Sequence, residues 1–288
     1  MNILLIGSEG YVGSFVNDYL NKNGHSIISC DLSTSSVYCN KHYTGDYASL
    51  LELIDINIDV VINLAAHSSV KMSDDEPIRA MENNVINLLS LALKCKEFKI
   101  PFIYASSGSI YSSINDSNFS LKGSSVNIYD GSKMAADMIL STLDIPSVAL
   151  CFGTVSGWSR RVRNELIFNS MNISAKRDKI VKIWNGENLR SILFLDDLVK
   201  YLDKILENIN YINKFHRVQL YSWSGSINDL GTIIAQHWGA DLIFQRGDGT
   251  YSFVLSDHSF KFSFNSQILK SDIVNQCNLF IDKWTHND

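Results

Sequence analysis

The chain has none of the features of a membrane span, a disulfide framework or a charged tail. No apolar run approaches the ~18 residues that a spanning helix needs, so no membrane partner is expected. Met1 leads directly into an apolar strand, with no basic segment or cleavage site before it. The five cysteines, Cys30, Cys39, Cys95, Cys151 and Cys277, are odd in number and contain no C-x-x-C pair. That pattern argues against paired disulfides and against a zinc site, and it predicts a reducing, cytoplasmic compartment and no metal. The formal net charge of -5 is spread along 288 residues instead of gathering in a tail, so a surface for a phosphate backbone, and with it a nucleic-acid partner, is not expected. Glycine and proline are scattered singly, with no internal repeat, low-complexity tract or long linker.

Hydrophobic residues at 45% of the chain are ample for a buried core. Short apolar runs rich in β-branched residues, at 3–6, 26–30, 59–64, 101–105, 147–152 and 191–195, alternate with stretches of helical spacing at 11–23, 48–55, 79–98, 129–143 and 197–207. That rhythm predicts an α/β fold built on βαβ units and a parallel sheet. The strands are near-continuously apolar, as expected where helices cover both faces. Asn23-Gly24 predicts the C-terminal cap of the first helix. Past Phe152 the pattern loosens into a loop at 153–157, a helix within 160–175 and a short strand at 181–184. From about Tyr221 onward, short aromatic strands and small helices suggest a separate lobe.

The strongest local signal is Gly7-Ser8-Glu9-Gly10-Tyr11-Val12-Gly13, lying where an apolar strand ends and an amphipathic helix begins. Glycines there permit a tight turn, let backbone approach a pyrophosphate and let helix pack on strand, while the helix N-terminus offers amides to the anion. Gly7, Gly10, Tyr11, Val12 and Gly13 are therefore candidate cofactor contacts. Asp31 ends the second strand, where a carboxylate accepts from ribose hydroxyls and repels a 2′-phosphate. No Arg or Lys lies between Asp31 and Asn40, which favours NAD over NADP. Asp31 is equally compatible with a turn role, since Ser33 to Ser36 follow it.

Tyr129-Asp130-Gly131-Ser132-Lys133 sets a phenol and an ammonium four residues apart, on one helix face. A phenol with an ordinary pKa of about 10 is a poor base at neutral pH, but a nearby cation favours the phenolate. Ser107 closes a predicted strand at the sheet edge where ligands of open α/β sheets bind. A surface Tyr/Lys pair and a strand-end serine are each common, and the glycine turn, the serine and the Tyr/Lys pair in this order carry the weight together. His67 follows a cofactor-side strand, whereas His42 and His258 read as packing or surface groups. Trp184, Trp223 and Trp238 read as core of the small lobe, and Cys151 as a buried thiol.

With these motifs the chain resembles the extended short-chain dehydrogenase/reductase family, in its NAD-dependent sugar nucleotide epimerase/dehydratase group. The resemblance spans nearly the whole length. It adds Gly45-Asp46 with Tyr47 near the adenine, Leu64-Ala65-Ala66 beside the cofactor, and Asn84 on the following helix. Ser106 to Tyr111 resembles the family's S-S-x-x-V-Y segment, and Tyr129/Lys133 its Y-x-x-x-K. Phe152-Gly153-Thr154-Val155 with Arg161, Arg163 and Asn169 is similar to a loop and helix that bind sugar nucleotides, and Arg190 to an arginine that contacts a diphosphate. A guanidinium fork suits phosphate because it donates two hydrogen bonds at once, although ordinary surface pairing accounts equally well for any one of these arginines.

The resemblance implies a Rossmann-type doubly wound parallel sheet with a smaller C-terminal substrate-binding lobe. It divides the chain into 1–156 with 189–222 for NAD, and 157–188 with 223–288 for substrate. Its departures are Cys151 for a common Arg, Ser156 for a common Tyr, and Trp158 for a common Pro. Gly108 and Ser109 stand where the group's 4,6-dehydratases carry two acids, so no local acid/base pair for dehydration is expected.

The expected activity is epimerisation of a nucleotide-diphosphate sugar, with Ser107, Tyr129 and Lys133 catalytic, Lys133 also touching NAD, and Ser107, Thr154, Arg161, Arg163, Asn169 and Arg190 on the sugar nucleotide. A 4-keto reductase, a sugar-nucleotide dehydrogenase and a non-catalytic NAD-binding regulator are the alternatives. The resemblance also implies a homodimer through helices 79–98 and 129–143, with Met134, Met138 and Ile139 as contributors.

Overall fold

Side chains alternate from face to face along a strand, and the buried strands sort their apolar residues between two cores by that period of two. Ile3 and Leu5 enter one core while Leu4 and Ile6 enter the other; Val60 and Ile62 oppose Val61, and Val148 and Leu150 oppose Ala149, in the same way. Both faces are covered, as the apolar runs predict. The computed structural model describes residues 1–34, 36, 41–112, 127–247, 252–255 and 268–286. Cys39, Asn40 and His258 lie outside them.

Among the described residues the strands are β1 Asn2–Ile6, β2 Ser26–Asp31, β3 Lys41–Thr44, β4 Val60–Asn63, β5 Phe102–Ser107, β6 Ser147–Phe152, β7 Thr154–Ser156, β8 Ile180–Trp184, β9 Leu189–Phe194, β10 Phe215–Leu220, β11 Trp223–Ser226 and β12 Asp241–Gln245. The helices are α1 Tyr11–Lys22, α2 Tyr47–Leu50, α3 Val70–Asp75, α4 Pro77–Met81, α5 Leu88–Phe98, α6 Ile128–Thr142, α7 Ile167–Asp178, α8 Leu195–Glu207, α9 Ile227–Trp238 and α10 Ile273–Thr285. Seven strands form one parallel sheet in the order β10-β6-β5-β4-β1-β2-β3. This is a Rossmann-type order, and it reverses direction at β1/β4, the switch point where such sheets bind ligands. The smaller lobe gathers β11-β9-β7 and β12-β8 around a third core that includes Phe168, Ile183, Phe194, Leu230 and Phe280.

Three expectations are corrected. The strand predicted at 191–195 forms, but as β9 of a separate sheet, because the chain leaves β6 at Gly153 and crosses under Ser191, where a Cβ on residue 153 would lie 2.9 Å from the Ser191 carbonyl. The main sheet also holds two strands outside the predicted runs, β3 and β10, one at each edge; polar His216, Arg217 and Gln219 concealed β10, and an edge strand has one neighbour only. The helix predicted over 79–98 is broken, since Glu82–Asn87 winds as a π-turn between α4 and α5, and such turns frequently mark functional positions. α7 begins at Ile167, so Arg161 and Arg163 sit on the segment before it and not within a helix. Gly24 has φ +81° and donates its N–H to Asn21 O, so the first helix ends where Asn23-Gly24 predicts. Among the described residues no helix is long and apolar enough to cross a membrane.

Candidate active site

Along the C-terminal edge of the large sheet runs one cavity of about 1110 Å³. One end of it is built from backbone. Gly7 takes φ +79°, and a Cβ there would stand 2.5 Å from Ala65 N; a Cβ on Gly13 would stand 1.8 Å from Gly7 O. A Cβ on Gly10 would meet only Gly7 O, at 3.4 Å, so this glycine keeps the cavity side of the turn open. No side chain caps the N-terminus of α1, which leaves that end of the helix for an anion. The Asp31 carboxylate accepts from Glu9 N at 2.9 Å and from Ser33 N at 3.0 Å, tying the glycine turn to the end of β2. Asp31, Asp46, Tyr47, Leu64, Ala65 and Ala66 all line the cavity. Tyr47 donates its hydroxyl to Ala65 O at 2.9 Å, and Asp46 caps α2 through Ser49 N.

Asn84 does not line the cavity. It is buried on the π-turn, accepting from His67 N at 2.9 Å and donating to His67 O at 3.1 Å and to Ser132 Oγ at 2.9 Å. It therefore acts at one remove, tying the loop after β4 to α6. His67 has both ring nitrogens engaged, Nδ1 with the Asn83 amide at 2.9 Å and Nε2 with Glu76 at 3.3 Å, so it is a held cavity wall and not a free base.

Tyr129, Lys133 and Ser107 meet in the middle of the cavity. Asn127 caps α6 by accepting from Asp130 N at 2.8 Å, which places Tyr129 in the first turn. Ser107 hydrogen-bonds Tyr129; burial raises the phenol's pKa, while Ser107 and the Arg163 charge pull it down. Lys133 is buried, donates to Ala105 O at 2.8 Å, and holds its Nζ 6.0 Å from the Tyr129 ring centre. Lys133 and Tyr129 share a helix face, and the link across that distance is electrostatic. Burial pushes the ammonium down to about 8, against the pull of Asp137.

Two carboxylates that the motifs do not mark support this centre. Asp137 is fully buried one turn after Lys133, accepts from Tyr104 at 2.7 Å and Ser106 at 3.1 Å, and pairs with Arg217 Nε at 3.2 Å. Its i+4 spacing from Lys133 is a signal that could have found it. Asp130 is buried behind Ser109 and takes that hydroxyl's hydrogen bond. At Gly108 a Cβ would lie 2.6 Å from Phe152 O, leaving no room for any side chain.

The far end of the cavity is built from side chains: Thr154, Arg161, Arg163, Arg190 and Phe253. Arg163 pairs with Glu165 at 2.7 Å. Arg190 lies over the Phe253 ring at 5.1 Å, and among the described residues no carboxylate pairs with it; burial pushes its guanidinium down to about 10. Asn169 is not brought to the cavity. It is fully buried, accepting from Gly157 N and donating to Arg163 O, both at 3.0 Å, so its amide shapes the loop that carries Arg163.

Residues 3–220 match the family model described as the NAD dependent epimerase/dehydratase family. Protein CapI of Staphylococcus aureus is 24% identical over 265 residues, 82% of this chain and 76% of that protein. A dTDP-D-glucose 4,6-dehydratase of Dictyostelium discoideum is 29% identical over 71% of this chain, and the match spans only 55% of the relative's length. Among solved structures, a UDP-glucose 4-epimerase of Thermotoga maritima with UDP-glucose superposes with a TM-score of 0.82 over 99% of both chains, at 21% identity, a likeness of fold.

Proposed function

Because this chain belongs to the NAD-dependent epimerase/dehydratase family, we propose that it is a nucleotide-sugar epimerase working through a transient keto-sugar, in cell-surface carbohydrate biosynthesis. The observation that carries the proposal is the continuity of the cavity, from the glycine turn, past Tyr129, Lys133 and Ser107, to Arg161, Arg163 and Arg190. A dinucleotide at the glycine turn and a sugar nucleotide at the arginines would bring the reacting sugar between them, beside Tyr129.

The residues present suit NAD. Gly7, Gly10, Tyr11, Val12 and Gly13 offer the uncapped helix end to the pyrophosphate, and Asp31 offers a carboxylate to ribose hydroxyls and repels a 2′-phosphate. Asp46, Tyr47, Leu64, Ala65 and Ala66 would wall the adenine and nicotinamide halves, with Asn84 bracing that wall from behind. When bound, NAD supplies the acceptor and donor of hydride.

The protein's part is proton placement and orientation. Tyr129 takes the proton of the sugar hydroxyl as the carbon is oxidised and returns it when the opposite face is reduced. The Ser107 hydrogen bond and the Arg163 charge favour the phenolate that this step needs, against the cost of burial and the Asp130 charge. Ser107 holds the reacting oxygen. Arg161, Arg163 and Arg190 would take the diphosphate, with Thr154 at the sugar; a largely buried guanidinium that meets no carboxylate among the described residues, such as Arg190, gains most from an arriving anion. The division of 1–156 with 189–222 against 157–188 with 223–288 shifts because β7 and β9 pair with β11 in the smaller lobe: we assign NAD to the large sheet and its helices, and the sugar nucleotide to the smaller lobe, which carries Thr154 and Arg190. Exposed Ile78, Met81, Ile86, Leu93 and Met138 on α4, the π-turn, α5 and α6 support a homodimer through these helices; Met134 is buried and would not contribute.

Dehydration is disfavoured because position 108 has no room for an acid. The deciding experiment is to incubate NAD-loaded protein with UDP-, GDP-, CDP- and dTDP-sugars and to read the product stereochemistry by NMR beside the nicotinamide absorbance. Inversion of one sugar carbon with no net NADH is expected. Stoichiometric NADH formation would make the protein a dehydrogenase, and NADH consumption with a keto-sugar a reductase.

A further inference from the structure

Tyr129, Ser107, Ser109 and Asp130 form a run of hydrogen bonds. Ser107 meets Tyr129, Ser107 Oγ lies 2.7 Å from Ser109 Oγ and also accepts from Ser109 N at 3.3 Å, and the Ser109 hydroxyl donates to Asp130 Oδ1. The other Asp130 oxygen accepts from Asn127 Nδ2 at 2.8 Å. Tyr129, Ser107 and Ser109 line the cavity, whereas Asp130 stands behind them, 1% exposed. A carboxylate buried at the end of a line of hydroxyls constrains every hydrogen in the line, because each hydroxyl has only one to give.

We propose that Asp130, acting through Ser109, is a positioning residue that sets the polarity of the Ser107 hydroxyl at the substrate oxygen. The proposal rests on the reading of Ser107 given above. With Asp130 ionised, Ser109 gives its hydrogen to the carboxylate, and Ser107 gives its own to Ser109. Ser107 then turns only lone pairs toward the cavity and toward Tyr129, suited to a protonated phenol, and the hydrogen of a sugar hydroxyl is left for Tyr129. With Asp130 protonated the line reverses: the carboxyl donates to Ser109, Ser109 to Ser107, and Ser107 donates outward, suited to a keto oxygen. No covalent bond between heavy atoms changes, and the one proton gained comes from solvent. This residue thus supplies, one hydroxyl removed, a carboxyl beside a position where the family's dehydratases carry an acid of their own.

The groups facing Asp130 are Ser109 from the turn after β5, and Asn127 and Tyr129 from its own helix end. Burial raises its carboxyl pKa, while Ser109 and Asn127 pull it back, so its titration reports directly on those donors.

Reciprocity supplies the test: if Asp130 orients Ser107, removing Ser107 must move the titration of Asp130, although the two do not touch. Infrared difference spectra of the NAD-loaded full chain, titrated with acid, read the protonated-carboxyl stretch without any need for turnover. The expected result is a titrating band that Asp130→Asn removes, whose midpoint rises in Ser109→Ala and rises by less, in the same direction, in Ser107→Ala. A midpoint unmoved by Ser107→Ala, or a full set of titrating bands in Asp130→Asn, would overturn the proposal. Failure of the epimerase reading would show separately, as chemistry that survives Tyr129→Phe.

Discussion

The two ends of the cavity are made of different material. The end proposed for NAD is backbone: a turn in which Gly7 and Gly13 touch other main-chain atoms, an uncapped helix end, and strand ends tied by Asp31. The opposite end is side chain: Arg161, Arg163, Arg190 and Phe253, carried on segments outside the large sheet. A backbone cradle tolerates almost no substitution, whereas a side-chain wall can be retuned residue by residue. On the proposed function, one end would fix the cofactor and the other would select the sugar nucleotide.

The centre, where the two meet, should give the largest effects. Tyr129→Phe is expected to lower the rate of sugar oxidation by about 10²–10⁴-fold with NAD affinity unchanged, read as single-turnover nicotinamide reduction. Retained chemistry would leave the two ends without a shared centre. Asp137→Ala removes the buried carboxylate that Arg217, Tyr104 and Ser106 share and should cost about 3–5 kcal/mol of stability in urea unfolding, although the residue touches neither end. On the backbone side, Gly13→Ala puts a Cβ 1.8 Å from Gly7 O. About 1–3 kcal/mol of overpacking and loss of NAD binding by calorimetry should follow. On the side-chain side, Arg190→Ala should raise KM tenfold or more, about 1.5–3 kcal/mol, and leave kcat and NAD binding alone. If Arg190→Ala weakened NAD as much as Gly13→Ala, the division between the ends would collapse.

The smallest expected effect is in pH. Burial lowers the Lys133 ammonium to about 8, so its charge is present below that value and lost as pH rises through it. The rate should show an alkaline limb near there, and the residual rate of Lys133→Met should lack it.

The same division governs what the sequence discloses. Backbone constraints demand particular residues at particular spacings, so the glycine turn, Asp31, Ser107 and the Tyr129/Lys133 pair could be read directly, as could the strands that place them. What escaped depends on contacts between segments distant in the chain. β10 disguises itself with Arg217, whose polarity makes sense only once Asp137 is buried opposite it. Asn84 and Asn169 read as ligand contacts because an amide can serve a ligand or a loop equally well; in the fold their hydrogen bonds go to His67, Ser132, Gly157 and Arg163. The Asp130 carboxylate carries no signal beside Tyr129 in the sequence, because it is the turn at Gly108 that brings Ser109 onto it.

The central claim, that one cavity joins NAD to a sugar nucleotide across Tyr129, is tested most directly by nicotinamide absorbance of NAD-loaded protein mixed rapidly with UDP-glucose, UDP-glucuronic acid and dTDP-glucose. The account predicts a reduced-nicotinamide signal that rises with at least one of these sugars and decays without external reductant in the wild-type chain, and does not rise in Tyr129→Phe. No signal with any of them, or equal signals from the two proteins, would contradict it.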